Sequence, residues 1–383
     1  MKNEEWGIRN EEFRQPARLD NGRLVAGSHT RMEKAMTGID HKNLLNRLLA
    51  GRDLTSREVE DFIGAVMDGE VDDVVVAAAL AALRLKGETG VEVAAAARAM
   101  RARSLPVLIA DPENAVDTCG TGGDGAETIN ISTAAALVAA AAGVAVAKHG
   151  NRSVSSRCGS ADVLEAAGVR LDISPEAMAA VLDEVGVAFL FAPRLHPAMK
   201  AVMPVRRALG VRTVFNLLGP LTNPAQVERQ VIGVWGPEVQ PLMATALAEL
   251  GALRGLVVHS DDGLDELSVN APTTVLEVRD GEVVGEWRTD PEKLGVDASD
   301  PESLKGGDAA ENLRRIRAIL GGEEQSAATE AVALNTAAAL YVADLAPDLR
   351  QGLDMSREVL RSGAALEILE ELARHSQEVA GVG

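Results

Sequence analysis

Pro106 divides this chain into two patterns that cannot belong to the same kind of layer. Before it, apolar residues recur at helical spacing. Leu44, Leu45, Leu48 and Leu49 share a face before Gly51 stops the helix, and Val59, Phe62, Ile63, Val66 and Met67 share a second face before Gly69. Thr55 with Glu58, and Thr89 with Glu92, have the spacing of capping boxes, in which a hydroxyl and a carboxylate satisfy the free N–H groups of a first turn. A third helix is predicted over 71–85 and a fourth over 89–103. After Pro106, short β-rich runs alternate with helical stretches, the signature of a parallel sheet with crossover helices. Strands are predicted at 114–118, 143–147, 187–191, 230–235 and 254–259, with a hairpin over 273–287 that turns at Asp280-Gly281. Helices are predicted from Ser174-Pro175-Glu176 and near 308–320, 327–343 and 356–373. The fold class is therefore α/β: a larger domain over 107–383, with a mainly parallel β-sheet flanked by helices, plus a small all-helical domain over 40–106. Helical elements near 197–225 are expected to join the small domain. Residues 1–39 carry no sustained apolar period and read as a poorly ordered extension.

Aromatic residues make up 2% of the chain, so its cores must be built from Ala, Val and Leu, and aromatic stacking on nucleic-acid bases is disfavoured. A formal charge of −19 opposes binding to nucleic acid or to an anionic membrane. Cys119 and Cys158 lie in glycine-rich motifs with neither metal-ligand nor disulfide-framework spacing, which suits reduced thiols. The amino terminus is too acidic and polar for a secretory signal. The longest apolar run, 134–147, falls short of the roughly 20 residues of a membrane span. A cytoplasmic enzyme is expected.

The loop Gly120-Thr-Gly-Gly-Asp-Gly125 satisfies G-x-G-x-x-G, but a dinucleotide fold wants an acid about 20 residues on, where Lys148 and His149 stand instead. No P-loop pattern occurs in the chain. Asn130, Ser132 and Thr133 follow the loop at the mouth of an alanine-rich helix, where free backbone N–H groups suit phosphate oxygens. At the average density of 57 acids in 383 residues, windows 128–161 and 185–227 should hold about five and about six, yet both hold none. They contain Lys148, Arg152 and Arg157, and Arg194, Lys200, Arg206, Arg207 and Arg212. In so acidic a chain this marks a localised anion site, although such cations also cover apolar surface and cap helix ends. Lys148-His-Gly-Asn-Arg-Ser-Val-Ser-Ser156 follows an apolar strand, at the edge where open sheets bind ligands. Asp261-Asp-Gly-Leu-Asp-Glu266 follows another; its spacing is not that of an EF-hand, and paired carboxylates there suit Mg²⁺ shared with a substrate phosphate. A solvated acidic turn is the plainer alternative.

Together these residues resemble the anthranilate phosphoribosyltransferase family, over about residues 41–375 and in order. The resemblance runs through Lys86-Gly-Glu-Thr89, the glycine loop, Asn130-Ile-Ser-Thr133, Lys148-His-Gly-Asn-Arg152 and Cys158-Gly-Ser-Ala-Asp-Val-Leu-Glu165. It continues in His196-Pro-Ala-Met-Lys200, Val205-Arg206, Phe215-Asn-Leu-Leu-Gly-Pro-Leu-Thr-Asn-Pro224 and Asp265-Glu-Leu-Ser268. It implies a nucleoside phosphorylase/phosphoribosyltransferase-like fold, two small-molecule substrates, Mg²⁺ as cofactor, and a homodimer formed through the helical domain. Phosphoribosyl diphosphate would be held by Gly120, Gly123, Asp124, Thr128, Asn130, Ser132, Thr133, Lys148, Ser156 and Ser160. Anthranilate would meet Gly120, His149, Asn151, His196 and Arg206, with Arg206 on its carboxylate. Ser132, Asp265 and Glu266 would serve the metal. No covalent nucleophile or general base is assigned, because expelling diphosphate from an anomeric carbon needs chiefly positioning and charge stabilisation. The rivals are a pyrimidine nucleoside phosphorylase of the same fold, a nucleic-acid-binding relative without the enzyme site, and a nicotinamide-dependent oxidoreductase.

Overall fold

The computed structural model describes residues 40–153, 157–296 and 301–381; the expected extension over 1–39 and Ser156 lie outside them. Four helices come first: α1 (His41–Leu49), α2 (Ser56–Met67), α3 (Asp73–Lys86) and α4 (Gly90–Arg101). Each starts at a side chain that accepts a free N–H of its first turn, and Thr55–Glu58 and Thr89–Glu92 form reciprocal capping boxes. The third helix begins at Asp73 rather than at 71, because Asp72 supplies the cap. Val71 and Val76 are both buried, at the spacing of a hydrophobic staple across that cap.

The chain then alternates: β1 (Val116–Gly120), α5 (Ile131–Ala141), β2 (Val146–Gly150), α6 (Ser160–Ala166), α7 (Pro175–Val185) and β3 (Val187–Phe191). Next come α8 (Ala192–Leu195), α9 (Met199–Leu209), α10 (Phe215–Leu221), β4 (Arg229–Gly233), α11 (Gln240–Glu249) and β5 (Arg254–Ser260). The hairpin β6 (Thr273–Arg279) and β7 (Glu282–Thr289) leads to α12 (Pro291–Leu294), α13 (Ala309–Leu320), α14 (Ala327–Val342), α15 (Leu349–Ser362) and α16 (Ala364–Ala380). Two predicted strands are shifted. β1 starts after a turn in which Asp111 accepts the Asn114 N–H, and β2 starts after Gly143 and Val144 have closed α5 by donating to Ala140 and Ala139. The one helix predicted at 356–373 is two, because Gly363 adopts φ +78° and turns the chain between α15 and α16.

The seven strands are ordered β3-β2-β1-β4-β5-β6-β7, parallel from β3 to β5 and antiparallel beyond. From β1 the chain winds outward to β3, then returns to the other side of β1 and winds outward again. β1 and β4 therefore flank the reversal of winding, and a crevice opens beyond their carboxyl ends. Gly120 and Gly233 pair in register at those ends.

Side-chain alternation along the strands sorts two cores. Val231, Leu256 and Val258 belong to one, with residues of α5 to α7 and α13 to α16. Ile232, Val257 and Val278 belong to the other, with α1 to α4, α9, α10 and α11. The small helical domain thus packs with one face of the sheet through α11. The segment after α4 is tied down where Leu105 N–H donates to Leu195 O at 2.8 Å and Val107 N–H to Pro224 O at 3.1 Å.

Candidate active site

The loop after β1 and the turn after β5 meet in the crevice. Thr121 N–H donates to Gly233 O at 2.8 Å, and Trp235 N–H donates to Thr121 Oγ1 at 3.2 Å, which pins the base of the loop to the end of β4. Asp265 lies directly against this junction. Its Oδ2 accepts Gly122 N–H at 2.9 Å, and a Cβ on Gly120 would stand 2.6 Å from the same oxygen. A Cβ on Gly233 would overlap the Asp265 backbone, so the carboxylate reaches the loop only because the paired strand ends lack side chains. Glu266 Oε1 accepts Ser132 N–H at 3.2 Å, one of the free donors in the first turn of α5.

The two carboxylates crowd one another in a buried setting. Burial raises the pKa of Asp265, and the charge of Asp124 raises it further; burial raises Glu266, with Asp265 adding to the effect and Lys148 opposing it. Crowded carboxylates of this kind are relieved by a divalent cation. Among the described residues no three His, Cys, Asp or Glu side chains form a metal cluster. Two carboxylates beside a serine hydroxyl are hard oxygen donors, a set that fits Mg²⁺ with water and ligand oxygens completing its shell. Lys148 reaches in from β2. It is buried, donates from Nζ to Thr118 O, and stands 3.5 Å from Ser132 Oγ.

Beside this charged floor lies a neutral imidazole pair. His149 Nδ1 faces Gly219 O at 3.0 Å and therefore donates, leaving Nε2 to accept from His196 Nε2 at 3.2 Å. Burial, and then the neighbouring His196, lower the pKa of His149 to about 3; burial lowers that of His196 to about 4. Asp117 fixes the strand end beneath them by accepting His149 N–H at 3.1 Å and Asn223 Nδ2 at 2.9 Å. Arg206 sits half-buried on α9 with its guanidinium 5.9 Å from the centre of the Phe215 ring. Burial lowers its pKa, and among the described residues no carboxylate pairs with it.

Several residues expected to contact ligand have internal partners. Asn130 stands at the N-cap of α5 without a side-chain cap bond; it donates to Cys158 O at 3.1 Å and accepts from Asn312 at 3.0 Å. Thr128 bridges to Lys305, Asp124 accepts Ala126 N–H, Ser160 donates to Asn151 O, and Asn151 Oδ1 accepts Arg152 N–H. Thr133 is buried, and its hydroxyl has no partner among the described residues. Of the cations in the acid-free windows, Arg152 is paired with Asp162 and Glu165, which lie just beyond the window. Sequence reasoning missed Asp117, Asn223 and Trp235 as site residues, and named Arg212 only as one cation among many. Asn223 was visible only as part of the quoted Phe215–Pro224 motif.

A model described as the a/b domain of a glycosyl transferase family matches residues 112–366, and one described as the helical bundle domain of that family matches residues 42–104. The anthranilate phosphoribosyltransferase of Desulfatibacillum aliphaticivorans is 48% identical over 335 residues, 88% of this chain and 98% of its own. That of Thermomicrobium roseum is 49% identical over 332 residues, 86% of this chain and 95% of its own. The crystal structure of the Thermus thermophilus enzyme is similar with a TM-score of 0.83 at 47% identity, covering 87% of this chain and 99% of that one. The Saccharomyces cerevisiae enzyme in complex with PRPP (phosphoribosyl diphosphate) and Mg gives 0.81 at 26% identity, over 88% of this chain and 98% of that one.

Proposed function

The chain belongs to the anthranilate phosphoribosyltransferases, glycosyltransferases of tryptophan biosynthesis, and from that premise we propose how its own residues carry the transfer. The 5-phosphoribosyl group passes from phosphoribosyl diphosphate to the amine of anthranilate, and diphosphate leaves. One observation carries this assignment of roles: the carboxylates of Asp265 and Glu266 are hydrogen-bonded to the amides of Gly122 and Ser132, so the anion-binding donors and the acidic pair form a single site.

With donor bound, the Gly122 and Ser132 N–H groups turn from these carboxylates to the diphosphate oxygens, and Lys148 adds a fixed positive charge beneath them. Mg²⁺ held by Asp265, Glu266 and Ser132 would supply positive charge to the departing diphosphate. Gly120, Gly123, Asp124, Thr128, Asn130, Thr133 and Ser160 shape the donor side, with Asp124, Thr128, Asn130 and Ser160 acting mainly by fixing the loop and helix starts. His149 and His196 are neutral at physiological pH and offer an uncharged wall to the incoming aromatic amine. Arg206 pairs with the anthranilate carboxylate, and Asn151 and Gly120 border the same acceptor. The amine attacks carbon 1 in its neutral form as the C–O bond to diphosphate breaks, and after the new C–N bond has formed its proton passes to solvent.

The small domain comprises 40–106 with the helices between 197 and 225, and the α/β domain takes the remainder from 107. Leu49, Val74, Leu85 and Val91 are exposed apolar side chains on α1, α3 and α4, and they support a homodimer through the helical domain. No helix of the described residues is long and apolar enough to cross a membrane, and the site is read as working in the cytoplasm. The test is loss of anthranilate fluorescence on adding phosphoribosyl diphosphate, with and without Mg²⁺. Consumption only when donor and metal are both present supports the assignment; consumption of a pyrimidine nucleoside with inorganic phosphate instead would replace it.

A further inference from the structure

α9 carries Arg206 and ends at Gly210, and Arg212 leaves the corner before α10 two residues later. From there it reaches the glycine loop. Its Nη2 donates to Gly123 O at 2.6 Å, and its guanidinium lies 4.4 Å from the centre of the Trp235 ring. Trp235 is itself bonded to the loop through Thr121 Oγ1. One planar cation therefore touches the loop at Gly123 and, through Trp235, at its base. Gly123 adopts φ +82°, a conformation that favours glycine, and a Cβ there would stand 2.8 Å from Nη2, so a side chain at this position would push the guanidinium aside. A peptide unit is rigid, and holding Gly123 O toward Arg212 directs the Asp124 N–H to the opposite side.

We propose that Arg212 is a positioning residue that couples the two substrates, fastening the donor-binding loop to the helix corner that sets the acceptor-binding Arg206. This rests on the assignment of the loop to phosphoribosyl diphosphate and of Arg206 to anthranilate. Because loop and corner are joined, filling the loop with a diphosphate shifts the corner toward its acceptor-ready position, and each ligand strengthens the other.

The probe is Mg²⁺-diphosphate, which fills the donor site without turnover, with anthranilate binding followed by its fluorescence. Wild-type protein should bind anthranilate about tenfold more tightly when diphosphate is present. Arg212→Ala should reduce that gain to less than about twofold and raise the donor KM about tenfold, with kcat changed less than about threefold. Trp235→Leu alters no charge and should move both quantities in the same direction. Arg212 is exposed, so unchanged thermal melting of both variants will show that they fold. Diphosphate tightening anthranilate equally in wild type and Arg212→Ala would overturn the coupling. So would a donor KM raised by Arg212→Ala but untouched by Trp235→Leu, which would make Arg212 a simple charge contact. Absent turnover in the wild type would remove the premise and the proposal with it, whereas intact turnover with either of those results would defeat the coupling alone.

Discussion

A half-buried arginine with no carboxylate beside it, as Arg206 is among the described residues, carries a desolvation cost that an anionic ligand removes. Arg206→Ala should therefore raise the KM for anthranilate at least about tenfold and that for the donor less than about threefold. Equal rises would contradict its pairing with the anthranilate carboxylate. The two buried histidines are neutral imidazoles. An unfolded imidazole titrates near 6.5, whereas burial lowers His149 to about 3 and His196 to about 4 in the fold. Below pH 6.5 the unfolded chain therefore takes up protons that the folded chain refuses. Stability from this source is intact above that pH and declines as the pH falls toward the folded values. For His149 the loss at pH 5 is about 2 kcal/mol. Urea unfolding at pH 7.5 and pH 5 should show His149→Asn losing less stability than wild type by about that amount; equal losses would place the imidazole in a wetter setting than its burial indicates.

Among the elements, α4 depends on one carboxylate more than on any other group. Glu92 is fully buried and accepts from Lys86 Nζ at 2.8 Å, from Thr89 N–H at 2.9 Å and from Leu54 N–H at 2.9 Å, tying α3, α4 and the start of α2 together. Glu92→Ala leaves the Leu54 and Thr89 amides without a partner and a buried ammonium with only Asp53 and the Gly87 carbonyl, and should destabilise the helical domain by about 3 kcal/mol in chemical denaturation. A loss under about 1 kcal/mol would mean that Lys86 finds equal support from Asp53. This box was legible in the sequence because capping chemistry is local: Thr89 and Glu92 are three residues apart. The break at Gly363 was not, because apolar spacing continues on both sides and only the left-handed backbone reveals the turn. The bounds of β2 differ from the expected ones because Val144, apolar like a strand residue, closes a helix, and those of β1 because Asp111 and Asn114 form a turn. For the candidate site, the glycine loop, Lys148 and the Asp265-Glu266 pair could be read from short motifs. The contacts Arg212–Gly123 and Asp117–Asn223 could not, since 89 and 106 residues separate the partners and only the strand order brings them together.

Across the whole fold, the reversal of winding between β1 and β4 brings the loop after β1 to the turn after β5, and the exposed apolar side chains of α1, α3 and α4 are where the proposed dimer is tested. Val74 and Leu85 are 76% and 87% exposed. Val74→Glu with Leu85→Glu should convert a dimer into a monomer in light scattering while leaving the melting temperature within a few degrees, since neither side chain belongs to a core. An unchanged mass would put the interface elsewhere. The central claim is that the acidic pair after β5 and the amides after β1 form one Mg²⁺-dependent diphosphate site. It is tested most directly by calorimetric titration of phosphoribosyl diphosphate, with and without Mg²⁺, into wild type and Asp265→Asn/Glu266→Gln. Mg²⁺ should tighten donor binding at least about tenfold in the wild type and leave it unchanged in the double variant; a double variant that keeps the wild-type response to Mg²⁺ would contradict the claim.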